Sequence, residues 1–78
     1  MLVLKQKVII GRTIIYDYFP EDKSDYGTIE LNLDTGEFKL VKKTEIYTQS
    51  IYLMHAYQAL MRMRDEEDLF EYRIVAWY

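Results

Sequence analysis

The only sustained helical periodicity in this chain lies between Thr48 and Arg64, so the fold has one helix and everything else is strand or turn. Leu53, Tyr57, Leu60, Met61 and Arg64 recur at steps of three and four, with Met54 adjoining, and this stripe is expected to face the core. Thr48 or Ser50 is a suitable N-cap, and Arg62 and Arg64 suit the negative end of the helix dipole. A second apolar stripe, Tyr52, Ala56, Ala59 and Met63, runs along the other side, leaving His55, Gln58 and Arg62 as the polar ridge. A helix apolar over most of its circumference must be covered on more than one side. The second stripe is therefore expected to meet a second copy in a homodimer, unless the sheet curls around it.

With 78 residues the chain reads as a single domain, 1–78. A domain of this size buries about 60–65% of its unfolded surface and gains from association. It contains no cysteine, which excludes disulfides, thiolate nucleophiles and thiolate zinc sites and suits a reducing cytoplasm. The amino-terminal stretch lacks the pattern of a signal peptide, and no apolar run reaches membrane-spanning length, so a cytoplasmic protein away from membranes is expected. The net charge of −3 weighs against general nucleic-acid binding.

Leu2 to Ile10 and Thr13 to Phe19 are β-rich runs joined by Gly11-Arg12, which predicts a type II′ hairpin pairing Ile10 with Thr13, Val8 with Ile15 and Lys7 with Tyr16. Alternation places Leu4, Val8, Ile10, Ile15 and Phe19 on a core face. Lys5, Lys7, Tyr16 and Tyr18, with Ile9 and Ile14, fall on an amphipathic face. That Lys/Tyr quartet is the candidate partner surface.

Pro20 to Asp25 leaves the sheet, and Tyr26 to Leu33 resumes as strand. Asp34 to Glu37 forms a hairpin loop leading to Phe38 to Lys42, with Leu33 expected opposite Phe38 and Leu31 opposite Leu40. The acids Asp65 to Asp68 should end the helix near Arg64, and Glu71 to Tyr78 is the last strand. The expected fold is α+β, in the order β-β-β-β-α-β, with the helix on one face of an antiparallel sheet.

Three stretches, the Asp-Tyr-Phe-Pro-Glu-Asp turn from Asp17, the Gly27 to Glu37 hairpin and the closing Val75 to Tyr78, resemble small proteins of Gram-positive bacteria. The likeness spans most of the chain but rests on turns and strands, and it implies no activity.

No residue pattern assigns catalysis, a cofactor or a metal. His55, the one histidine, lies on the polar helix ridge, and the acids near Asp17 to Asp25 and Asp65 to Asp68 lack calcium-loop spacing. The expected function is a small non-enzymatic protein-interaction module acting as a homodimer. One alternative is a metal-dependent or acid/base hydrolase using those acids and His55; another is single-stranded nucleic-acid binding through the Lys/Tyr face.

Overall fold

The computed structural model describes residues 1–77. Strands β1 (Leu2–Ile10), β2 (Thr13–Pro20), β3 (Gly27–Asn32) and β4 (Phe38–Lys42) are followed by helix α1 (Ser50–Glu66) and strand β5 (Tyr72–Val75). All five strands form one antiparallel sheet in the order β4-β3-β2-β1-β5. The chain is thus α+β with the expected element order. Because β4 and β5 are opposite edges, α1 crosses the sheet between them and covers one face. No helix among the described residues covers the other face.

The first hairpin begins as the turn residues dictate. Gly11 takes φ 61 while Arg12 stays out of the positive-φ region, and Ile10↔Thr13, Ile9↔Ile14 and Val8↔Ile15 are paired. The register then slips at Lys7, so that Gln6 faces Tyr16, Lys5 faces Asp17 and Leu4 faces Tyr18. This one-residue bulge turns the first half of β1 over. Leu2 and Leu4 thereby join Ile14, Tyr16 and Tyr18 beneath α1, together with Ile29 and Leu31 of β3, and all seven are buried. Val8, Ile10, Ile15 and Phe19, expected in the core, belong to the helix-free face instead.

Two further departures have local causes. Pro20 closes β2 opposite Leu2 rather than leaving the sheet, as a proline at a strand end can. The β3–β4 register differs by two residues from the expected one, pairing Leu31 with Phe38 and Ile29 with Leu40, with the Asn32 side chain accepting the N–H groups of Asp34 and Thr35 in the loop. A shift of two residues preserves the face.

Ala56, Leu60 and Met63 are the buried residues of α1, with Tyr52, Leu53, Ala59 and Met61 packed at the margin of the core. Ala56 and Met63 come from the stripe expected to look outward and Leu60 from the stripe expected to face the core, so residues of both meet the sheet, and the small Ala56 and Ala59 allow close approach. Gln49 occupies the N-cap without a side-chain bond, so neither Thr48 nor Ser50 has that role. The helix passes Arg64 and ends when Glu67 turns left-handed (φ 55), its N–H bonding the Arg64 carbonyl at 3.2 Å and that of Asp68 bonding Met63 at 3.1 Å. This Schellman closure outweighs the adverse acids in the last turn. β5 is shorter than the predicted strand, ending at Val75, and Tyr78 lies outside the described residues.

Candidate interaction surfaces

The structure does not bring the Lys/Tyr quartet together. Lys5 and Lys7 are exposed, whereas Tyr16 is fully buried and Tyr18 nearly so. The Tyr16 hydroxyl donates to the Phe70 carbonyl and lies 3.2 Å from the Met63 sulfur, so it ties β2 to the helix and to the segment before β5. Burial pushes its phenol up to about 12; Arg73 opposes the shift, while Asp68 and Glu71 add to it. The Tyr18 phenol is also raised, again mainly by burial. Its ring lies over Gly27, where a Cβ would overlap it. These tyrosines are core residues with a polar tip.

The helix quartet is likewise internal. Ala56 and Met63 are buried, and Tyr52 and Ala59 pack against the core. A surface for a second copy must therefore be sought elsewhere.

The acids near Asp17 to Asp25 have structural partners. The Asp17 carboxylate accepts the Thr28 hydroxyl at 2.7 Å. Glu21 accepts the Met1 amino group at 2.9 Å and the Tyr52 hydroxyl at 2.8 Å; these hydrogen bonds lower its pKa and raise that of Tyr52. Asp25 accepts the backbone N–H groups of Glu45, Ile46 and Tyr47 at 2.8–2.9 Å, which lowers its pKa and fastens the loop before α1. His55 stacks on Trp77, with centroids 4.0 Å apart and planes 6° from parallel. Among the described residues no three of His, Cys, Asp or Glu converge to hold a metal.

On the helix-free face, register places Tyr72, Lys5, Asp17, Thr28 and Lys42 in one row, and Ile74, Val3 and Phe19 in the next. Lys5 sits over the Phe19 ring and Lys42 over Tyr26, at 4.8 and 3.5 Å, so lysine stems and ammonium groups cover the aromatic faces. This is a self-paired amphipathic surface, with Asp17 and Glu30 set among the lysines.

The sheet edges are less satisfied. β5 pairs only with Leu2 to Lys5, and Glu71 accepts the Gln6 N–H at 2.8 Å. Beyond that point β1 has no neighbour on its outer side among the described residues, yet its residues are Val8, Ile9 and Ile10, exposed by 39%, 46% and 63%. Since the pair next to a two-residue turn exchanges both hydrogen bonds, Ile10 points its backbone toward β2 and Ile9 points its own outward. Three consecutive β-branched residues at an open edge are a template for strand pairing. The run Val8-Ile9-Ile10 carried this signal in the sequence, obscured by the expectation that two of its residues, Val8 and Ile10, were core.

At the opposite edge, a cleft of about 400 Å³ opens between β4 and the start of α1, lined by Tyr18, Leu40, Lys43, Thr44, Tyr47 and Leu53 among others. A larger one of about 530 Å³ lies between Arg12, Leu33, Arg64 and Leu69. Its arginines are already engaged: Arg12 binds the Asp34 carboxylate, and Arg64 donates to the carbonyls of Leu33 and Asp34. No helix among the described residues is long and apolar enough to cross a membrane. Comparison with family models, curated proteins and solved structures finds no match to this chain.

Proposed function

We propose that this protein is a non-enzymatic interaction module that pairs with a second copy of itself through the outer edge of β1. The observation that carries the reading is the exposed, unpaired run Val8-Ile9-Ile10. An antiparallel pair about a two-fold axis at Ile9 lets the two Ile9 residues exchange both N–H···O=C bonds and sets Val8 opposite Ile10 of the second copy. Lys7 then faces Gly11 rather than another lysine, and Arg12 comes beside the Gln6–Glu71 step of the second copy. The two sheets become one, and the edge is removed.

The patch is small against the area of a standard interface, so the dimer is weak and concentration-dependent. Light scattering behind size exclusion across a wide concentration range tests it. The expected result is a monomer–dimer equilibrium in the wild type and a monomer for Ile9→Glu, whose charge would be desolvated at the centre of the pair. A wild type that stays monomeric at the highest concentration, or an Ile9→Glu variant that dimerises equally well, overturns the reading.

A further inference from the structure

We infer that the opposite edge of the sheet, β4 with the cleft beside α1, receives an extended acidic segment of another protein as an added strand. This rests on the interaction-module reading and gives it a second, heterologous partner.

The backbone geometry defines what can dock. Glu37 accepts the Asn32 N–H at 2.9 Å, so Glu37 and Lys39 turn their backbone groups toward β3 while Phe38 and Leu40 turn theirs to the open edge. The side chains of Phe38 and Leu40 share the α1 side of the sheet with Leu31 and Ile29, their partners in β3. A strand bonded to this edge opposite Leu40 directs the facing side chain to the same side, into the cleft of about 400 Å³ lined by Leu40, Leu53 and Tyr47. Main-chain bonds then supply affinity and the cleft supplies selection, the division of labour seen whenever an extended peptide adds to a sheet beside a helix. The neighbouring helix surface suits an apolar anchor: Tyr57 packs edge-on against Phe38 with centroids 4.9 Å apart and remains 41% exposed, and Met54 is 47% exposed.

Charge selects the partner. Phe38 to Lys43 carries Lys39, Lys42 and Lys43 and no acid, although the chain as a whole is at −3. Lys39 lies 3.4 Å from Glu37 and pairs across the strands with Glu30, and Lys42 lies over Tyr26, so these two are partly engaged within the chain, while Lys43 lines the cleft itself. A second copy presenting the same edge would bring three further lysines against these three, and the bulge at Val41 shortens the usable edge. Lysines and a bulge are the devices that turn identical edges away. They leave the edge open to a segment in which aspartate or glutamate alternates with a large apolar residue.

The test is selection from a displayed library of random short peptides against the full chain, followed by amide hydrogen exchange of the protein with an enriched peptide bound. The expected sequences alternate acidic with large apolar residues, and the bound peptide slows exchange at Phe38 and Leu40. The double variant Lys39→Glu/Lys43→Glu, whose fold is checked by circular dichroism, weakens binding roughly tenfold at low salt. N-methylation of the peptide residue opposite Leu40 weakens it by a similar factor. Absence of enrichment, enrichment of basic or uncharged peptides, or unchanged exchange at both amides overturns the inference. If that happens while Ile9→Glu still splits a dimer, only this second site is refuted; if neither partner is found, the interaction-module reading fails with it.

Discussion

Replacing Tyr16 by Phe removes one oxygen from the centre of the core and has two opposite effects on stability, separable by pH. Near neutral pH the loss is that of the hydroxyl bond to the Phe70 carbonyl, which leaves a buried acceptor unpaired. That costs about 1–2 kcal/mol. At high pH the sign changes. The Tyr16 phenol is raised to about 12 from an ordinary 10, so the folded state holds a proton that the unfolded state releases. Stability is complete below the unfolded value and falls as pH rises toward the folded one, by about 1.4 kcal/mol per unit and about 3 kcal/mol in all. The Phe variant has no such proton, and other groups titrate alike in both proteins. The two stability curves are therefore expected to cross near pH 11. Urea unfolding followed by the fluorescence of Trp77, which packs against His55 and Tyr52, measures both curves. A deficit that stays constant from about pH 8 to pH 11.5 would show that the Tyr16 hydroxyl is not held in a dry core.

Three further outcomes follow from the same contacts. Gly27→Ala sets a methyl group against the Tyr18 ring and is expected to cost about 1–3 kcal/mol by denaturant unfolding. Glu67→Gly relieves a non-glycine residue at φ 55 in the helix closure and is expected to raise stability by about 1 kcal/mol, with a higher melting temperature. The Asp25 carboxylate has a lowered pKa because it accepts the N–H groups of Glu45, Tyr47 and Ile46. Its contribution is present above the unfolded value and is lost as pH falls through the folded one. Acidification or Asp25→Asn is therefore expected to speed amide exchange at those three residues, while exchange in β2 is unchanged.

The sequence carried the element order, the helix and both hairpins because each depends on local chemistry: the 3.6-residue period after Thr48, the glycine of Gly11-Arg12 and the turn at Asp34 to Gly36. What it concealed depends on non-local pairing. One bulge at Lys7 decides whether Leu2 and Leu4, or Lys5 and Lys7, stand beside Tyr16 and Tyr18, and no residue in the strand announces it. Tyrosine compounds the ambiguity, since the same side chain suits a wet surface or a core that offers a carbonyl to its hydroxyl. The helix posed a similar choice, with two apolar stripes and one sheet; the sheet takes residues of both, Ala56 and Met63 from one and Leu60 from the other. With Ala56 and Met63 buried, the candidate interface moves from the helix to Val8, Ile9 and Ile10, which are apolar, exposed and at an open edge.

The exchange rate of the Ile9 amide as a function of protein concentration tests that interface most directly. Ile9 alone of the three has its N–H on the open side of β1, so its amide is expected to exchange freely in dilute protein and become protected as concentration rises. Val8 and Ile10, bonded toward β2, should show no comparable change. An Ile9 amide whose exchange is independent of concentration would contradict pairing through β1.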